Sequence, residues 1–154
     1  MSGACLLTPV PIDLEREQAD LIAGASGAGA VASFVGLVRS NSSDERNEVA
    51  AIYLDHHPSM TLRSMEDVAD AAQARFAVRS LRIVHRCGLV AAGDPIVFVG
   101  ASAAHRRAAF DAVDYVMDSL KTDAVFWKRE DRTDGAEWIE PTDADHAAHR
   151  RWKD

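Results

Sequence analysis

Four basic side chains in the second half of the chain have the residue types and spacing of an anion-binding active site. His105 and Arg106 fall in the predicted first turn of a helix, where free backbone N–H groups and the helix dipole attract an anion. Lys121 falls at the other end of that helix, where a lysine can also serve only to complement the carbonyl ends. We expect these residues, together with Lys128, to form one basic cluster that holds an anionic substrate.

Lys128 lies in the strand-like segment AVFWKRE, where alternation places it on the same face as Phe126. Its alkyl stem can simply pack on the aromatic ring while the ammonium reaches water. Alternatively, the ammonium is partly desolvated, which lowers its pKa and suits it to face a substrate. The sequence alone leaves both interpretations open.

Composition and charge limit the other functions of the chain. With 154 residues and 47% hydrophobic residues, the chain is expected to form one domain over residues 1–154, with a polar tail from about residue 141. The net charge of -7 argues against nucleic acid as a partner, so an anion site must be a local basic island. The N-terminus is not a secretory signal, and no apolar run approaches the roughly 20 residues that span a bilayer. We therefore expect a cytoplasmic protein that does not bind a membrane.

Other candidate sites are weaker. Cys5 and Cys87 form no CxxC motif, and His56 and His57 lack a third ligand, so we expect no metal and no bound cofactor. Cys87 and His85, at the end of a strand, are interpreted as structural. A hydrolase that uses a serine with His105 remains an alternative, but no G-x-S-x-G motif is present.

The predicted elements that position these residues form an α+β pattern rather than a regular βα repeat. Hydrophobic alternation predicts strands at residues 6–12, 30–38, 49–55, 80–86, 95–100, 124–129 and 137–140. Helices are predicted up to residue 23 with Asp13 as the N-cap, from Pro58 to about residue 76, and at 103–122 with Ser102 as the N-cap. Phe110, Val113, Met117 and Leu120 are the predicted core stripe of the last helix. Residues 88–94 are predicted as a turn and 39–47 as a polar loop, while the tail can form a short helix.

The ordered motifs around the basic residues resemble those of the large, catalytic subunit of molybdopterin synthase. The similar segment contains a strand that ends His-Arg-x-Gly, then Gly-Asp, Ser-x-x-His-Arg, Ala-Phe, Asp-x-Leu-Lys and Trp-Lys-[Lys/Arg]-Glu. The upstream runs FVGLVR and LDHHPSM are also similar to family motifs. The resemblance extends from about residue 29 to residue 152, and several motifs agree in order.

The resemblance implies an α/β hammerhead fold with a small additional antiparallel β subdomain. It also implies a sulfurtransferase that converts cyclic pyranopterin monophosphate to molybdopterin in molybdenum cofactor biosynthesis. The sulfur donor in this family is the C-terminal Gly-Gly thiocarboxylate of a small ubiquitin-like subunit. Family members assemble as a heterotetramer around a homodimer of large subunits.

Residue by residue, the resemblance implies that Lys121 and Lys128 are catalytic. It implies a substrate-binding role for these lysines and for Arg39, His105, Arg106, Arg129 and Glu130. The chain departs from the family pattern at Leu37, where many relatives have lysine, and at Asp55, His57 and Val125. At Pro141–Thr142, relatives can carry a basic residue that reaches across the dimer.

Overall fold

The computed structural model describes residues 3–40, 49–124, 126–132 and 135–153. Its first sheet has the strand order β1-β4-β6-β2, in which β1 pairs with β4 in parallel and the other pairs are antiparallel. These strands are β1 (Cys5–Thr8), β2 (Ala30–Leu37), β4 (Val78–Arg86) and β6 (Pro95–Ala103). The central strands are rich in β-branched residues that alternate between two buried faces, because helices cover both sides of this sheet.

Three helices cover the first sheet: α1 (Leu14–Ala23), α2 (Met60–Arg75) and α3 (Arg106–Thr122). The main core contains Ile83 and Val99 from the sheet together with Met65 of α2 and Val116 of α3, so α2 and α3 pack on one face. The other face carries α1. As predicted, Asp13 caps α1, and its side chain accepts a hydrogen bond of 3.1 Å from the backbone N–H of Arg16.

The second sheet is antiparallel, with the strand order β5-β3-β7-β8. Its strands are β3 (Val49–His56), β5 (Gly88–Ala91), β7 (Phe126–Arg132) and β8 (Gly135–Ile139). Leu54 and Val90 of this sheet form a buried cluster with Val38, which follows β2. Ile96 and Phe126 pack against this cluster and also against the main core. The two sheets therefore meet at the end of the first sheet where β6 begins. The predicted α+β fold with a small additional antiparallel sheet is confirmed.

Two predictions around the first and second sheets are wrong. Residues 88–91 were expected in a turn, but they form β5, because the chain leaves β4 through Gly88 at φ 76° and pairs with β3. Ser102 was expected to cap a helix that starts at Ala103. Instead it is fully buried in β6, where its hydroxyl lies 2.6 Å from that of Ser80, and α3 begins at Arg106.

Two predictions for the helices also need correction. Pro58 does not lie in the first turn of α2, because Ser59 is the N-cap and the helix begins at Met60. Phe110 was expected in the core stripe of α3, but its side chain is 56% exposed, and Ala109 and Val116 fill the core there. The predicted loop at 39–47 lies outside the described residues from 41 onward.

The polar tail forms a helix, α4 (Asp143–Arg150), which packs on α3. A capping box starts it: Asp145 N–H donates to Thr142 Oγ1 at 3.1 Å, and Thr142 N–H donates to Asp145 Oδ2 at 2.9 Å. After α4, the Trp152 ring contacts Phe76 and Tyr115 edge-on at 5.7 and 5.6 Å. These contacts hold α4 against the C-terminal half of α3.

None of the helices in the described part of the chain is long and apolar enough to cross a membrane.

Candidate active site

Lys121 and Lys128 approach each other where the two sheets and α3 meet. Lys121 lies in the last turn of α3, and Lys128 lies on β7 between Leu54 of β3 and Ile139 of β8. Burial lowers the pKa of Lys128, and the positive charge of Lys121 lowers it further. Of the two interpretations of Lys128, this favours the one in which the ammonium is partly desolvated.

Asp145 brings a negative charge to the two lysines from α4. Its Oδ1 lies 3.4 Å from Lys121 Nζ, and its charge partly offsets the lowering of the Lys128 pKa. Burial alone would raise the pKa of Asp145. The hydrogen bonds from Thr142 and the charge of Lys121 outweigh burial, so this pKa is lowered and the carboxylate stays ionised.

The buried His85 lies close to Lys128. It is 5% exposed, and its ring stacks on Phe126 with centroids 4.3 Å apart. Its Nδ1 lies 2.7 Å from the carbonyl oxygen of Arg86, which can only accept, so Nδ1 carries the proton in the neutral ring. Burial lowers the His85 pKa to about 4, and the charge of Lys128 contributes, so the ring is neutral at pH 7. The structural interpretation of His85 agrees with this geometry.

Arg39 lies at the same end of the first sheet as the lysines. It follows Val38, whose backbone N–H donates to the Asp94 carbonyl at 3.0 Å and whose side chain packs with Leu54. Leu54 in turn pairs with Lys128 across β3 and β7. The side chain of Arg39 is exposed. The register of the strands thus places Arg39 at the junction that holds the lysine pair.

The two residues after Lys128 project in opposite directions, because side chains alternate along β7. Glu130 shares the face of Lys128 and accepts a 2.7 Å hydrogen bond from Arg132. Arg129 is on the other face, where it pairs with Asp131 at 2.8 Å and its guanidinium stacks on Tyr53 at 4.8 Å. The structure does not bring Arg129 to the lysine pair.

His105 and Arg106 lie at the opposite end of α3 from Lys121. His105 is the N-cap without a side-chain capping bond, and Arg106 begins the helix. Fifteen residues separate Arg106 from Lys121, which at the rise of an α-helix is about 22 Å. The prediction of one basic cluster is therefore wrong for a single chain, because one helix holds its two halves apart.

No group of histidine, cysteine and acidic side chains within the described residues is arranged to hold a metal ion. His57 Nδ1 instead accepts from the Met60 backbone N–H at 3.2 Å, which caps α2. Cys87 is a buried thiol whose pKa is raised by burial, as its structural interpretation implies. The cationic groups at the lysine pair can bind an anion and stabilise developing negative charge.

The sequence prediction missed Asp145 as a neighbour of the lysines. Its local signal was a threonine followed three residues later by an acidic residue, which is typical of a helix N-terminus. That signal predicts the start of α4 but not what α4 packs against. A second signal was also available: Lys121, Lys128 and Lys153 are the chain's three lysines, beside fourteen arginines.

The fold and the site define a class of protein: an α+β chain with an added antiparallel sheet and a lysine pair at the junction of its two sheets. The chain belongs to the MoaE protein family, whose profile matches residues 7–123. A protein from Vibrio cholerae serotype O1 named molybdopterin synthase catalytic subunit is 43% identical over 137 residues, which cover 89% of this chain and 90% of that protein.

Solved structures agree with the assignment. The molybdopterin biosynthesis MoaE protein from Burkholderia ambifaria superposes with a TM-score of 0.83 at 39% identity and covers 99% of both chains. A more distant structure from Helicobacter pylori shares the fold, with a TM-score of 0.69 at 19% identity and 92% of each chain covered. That structure is described as a protein–protein complex of subunits 1 and 2 of molybdopterin-converting factor.

Proposed function

We propose that this chain is the catalytic subunit of a molybdopterin synthase, a sulfurtransferase of molybdenum cofactor biosynthesis. Its substrate is cyclic pyranopterin monophosphate, and its sulfur donor is the C-terminal thiocarboxylate of a small ubiquitin-like subunit. The observation that carries the proposal is the pair formed by Lys121 and Lys128, of which Lys128 has a lowered pKa. Arginine cannot lose its proton in a protein, so a lysine pair in an arginine-rich chain suits proton transfer as well as charge stabilisation.

The two lysines have different roles in this chemistry. The thiocarboxylate sulfur attacks a side-chain carbon of the pterin and forms a C–S bond while the C–O bond at that carbon breaks and its oxygen leaves. Water then adds to the acyl carbon and cleaves the acyl–sulfur bond, which releases the partner's C-terminal carboxylate and leaves the sulfur on the pterin as a thiolate. Both steps create oxyanions and move protons. Lys121, ion-paired with Asp145 at 3.4 Å, stabilises negative charge as a cation. Lys128 exchanges protons, because burial brings its pKa toward the working pH.

The phosphate of the substrate needs the remaining basic residues, and a dimer brings them together. An exposed face lies between the edge strand β2 and the middle of α3, with a groove of about 330 Å³. Phe34 and Phe110 line this groove and are 42% and 56% exposed. A two-fold axis through this face lays two α3 helices antiparallel, so His105 and Arg106 of one chain meet Lys121 of the other. Arg39 then completes the phosphate site by charge-assisted hydrogen bonds.

A reconstituted assay tests the proposal. The chain is combined with a thiocarboxylated partner and cyclic pyranopterin monophosphate, and molybdopterin formation is measured. Lys121→Ala is expected to lower turnover about 10²- to 10³-fold, the effect of removing one group that stabilises an oxyanion. Lys153→Ala removes the remaining lysine of the chain and serves as the matched control, with turnover unchanged. Near-normal turnover of Lys121→Ala would reject the catalytic role of this lysine.

The main rival is a binding module that docks a ubiquitin-like tail without chemistry. It predicts tight association with the partner but no molybdopterin in a single turnover. The lowered pKa of Lys128 disfavours it, because a docking surface does not need to bury an amine. The hydrolase alternative is also disfavoured, because Ser102 is fully buried in β6 and bonded to Ser80.

A further inference from the structure

We propose that Asp145 is a positioning residue of the site: its carboxylate, held by the capping box of α4, fixes the ammonium of Lys121 beside Lys128. The inference deepens the proposed function and rests on it for the catalytic consequence. It gives the C-terminal helix α4 a role in the site, although the sequence of this segment is that of a polar tail. Asp145 acts through Lys121 and does not itself touch the reacting atoms.

The proposal is based on the different contacts that the two carboxylate oxygens of Asp145 make. Oδ2 accepts the Thr142 backbone N–H at 2.9 Å, while Oδ1 lies 3.4 Å from Lys121 Nζ. The first contact fixes the side chain in the first turn of α4, so the second contact has a defined direction. A carboxylate on a flexible tail would not hold Lys121, since exposed ion pairs lose most of their attraction to side-chain entropy and screening.

Asp145 can act in this way because α4 is fastened to α3 on both sides of Lys121. Before Lys121 in sequence, Arg151 binds Asp114 at 2.6 Å and Asp118 at 2.8 Å. After Lys121, His149 Nε2 lies 3.0 Å from an oxygen of Asp123. Helix α4 is therefore fixed along the last turns of α3, so the Asp145 carboxylate keeps its position beside Lys121.

The negative charge of Asp145 therefore partly offsets the positive charges of the neighbouring Lys121 and Lys128. Around Lys128, the groups that interact with its charge are Lys121 from α3, Asp145 from α4 and the neutral His85 from β4. Glu130 shares its face of β7 and lies opposite Glu137 of β8, and both glutamates are paired with Arg132. Without Asp145, the two ammonium groups would repel each other with no nearby carboxylate among the described residues that interact with Lys128. Lys121 would turn toward solvent, where it is already half-exposed, and would leave the site. Asp145 thus keeps Lys121 in place as a cation while Lys128 remains able to exchange protons.

The test compares Asp145→Asn with Asp143→Asn. Both residues lie in the first turn of α4, so each variant removes one charge from the same helix N-terminus, but only Asp145 binds Lys121. Asparagine can still accept the Thr142 N–H and preserve the cap. In the full chain, NMR titration of the lysine side chains follows three residues, with Lys153 as an internal reference. Asp145→Asn should raise the pKa of Lys128, because the released Lys121 no longer lowers it, and this effect is larger than the loss of the Asp145 charge. Asp143→Asn should leave the Lys128 pKa unchanged.

Activity of the assembled enzyme gives the second measurement. Asp145→Asn should lower kcat about two- to fivefold with little change in KM, the range expected for a partly exposed ion pair. Its pH–rate profile should move toward higher pH, in the same direction as the Lys128 titration. Thr142→Ala, which weakens the cap without removing a charge, should lower the stability of α4 with a smaller shift of the profile.

Several outcomes overturn the proposal. The first is a Lys128 pKa that does not rise in Asp145→Asn, since a fall would mean that Lys121 stays beside Lys128 without Asp145. The others are an equal shift in Asp143→Asn and a turnover that rises, which would make the ion pair an inhibitory contact. Absence of sulfur transfer in the unmodified enzyme rejects the proposed function instead. The lysine titration of the chain alone still decides whether Asp145 controls the pair.

Discussion

The two ends of helix α3 hold basic residues in different electrostatic environments. At the C-terminal end, Lys121 has a carboxylate partner in Asp145, and Lys128 beside it is half-buried, with a pKa lowered by desolvation. At the N-terminal end, His105 and Arg106 are exposed, with no ion pair or side-chain cap within the part of the chain that the structure describes. The first end is preorganised for chemistry within one chain. We propose that the second end is an anion site that joins the same centre through a second chain.

The difference follows from the physics of helix ends. Cations are favoured at the C-terminus of a helix and disfavoured at its N-terminus, by about 0.3–1 kcal/mol each at exposed positions. Lys121 follows this preference, whereas His105 and Arg106 oppose it. Side chains that oppose the local field without a partner in their own chain are expected to have a ligand. In the proposed dimer, that ligand is the substrate phosphate.

The sharpest test of the C-terminal end is the exchange of lysine for arginine. Lys128→Arg keeps the charge but cannot release a proton, so kcat is expected to fall about 10²- to 10⁴-fold, the contribution of general acid–base catalysis. Lys121→Arg keeps the cation that the oxyanion needs and should retain more activity. The measurement is molybdopterin formation in a single turnover, with Lys153→Arg as the control. Equal activity of the two site variants would show that the lysines do not divide the roles.

The buried His85 makes the C-terminal end sensitive to acid. Its pKa of about 4 in the folded chain lies below the ordinary value, so the unfolded chain binds the extra proton first as pH falls. The contribution of the neutral His85 to the free energy of unfolding is therefore fully present above about pH 6.5. It decreases by about 3 kcal/mol as pH falls toward 4. Urea unfolding at several pH values measures the slope. His85→Gln should reduce the pH dependence of the unfolding free energy in this pH range, whereas His146→Gln, at an exposed position, should leave it unchanged. Equal pH dependence in the unmodified protein and both variants would contradict the buried neutral ring.

The N-terminal end can be tested separately from the lysines. Arg106→Ala should raise KM for the pterin roughly tenfold to hundredfold, the worth of a charge-assisted hydrogen bond to phosphate. An unchanged KM would remove Arg106 from the substrate site.

Mixing two impaired chains, at a pterin concentration far below the raised KM of Arg106→Ala, tests whether the ends meet across a dimer. When Lys121→Ala and Arg106→Ala chains are mixed and reassembled, half of the dimers contain both variants, and each of these has one intact site. Activity should recover to about one quarter of the unmodified level. If each site instead came from a single chain, the mixture would be no more active than its components.

The smallest expected effect concerns the cap that holds α4. Thr142→Ala should destabilise this helix by about 1 kcal/mol, because one N-terminal backbone N–H loses its acceptor. Hydrogen exchange of the α4 amides measures the loss, and Thr8→Ala on β1 is a control remote from α4. Exchange that is unchanged in Thr142→Ala would show that the anchors around Trp152, rather than the cap, hold the helix.

Much of the fold was predictable because it depends on local patterns. Alternation located β2 and β3, and the Asp13 cap located the start of α1. The failures occur where a long-range contact overrides a local preference. Ser102 resembles an N-cap, but the pairing of β6 with both neighbours extends that strand and buries its hydroxyl against Ser80. Residues 88–91 resemble a turn, but β3 offers them a partner strand.

By itself, the sequence determined which residues can do the chemistry: the lysines, the His105–Arg106 pair, and the motifs that the family shares. The expectation that they form one cluster was wrong, because His105 and Lys121 lie at opposite ends of one helix whose length is set by the rise per residue. Only the tertiary structure decided that β7 carries Lys128 to Lys121, and that α4 returns to place Asp145 beside Lys121. These contacts join segments with no local pattern that pairs them, so they depend on how the sheets and helices pack together.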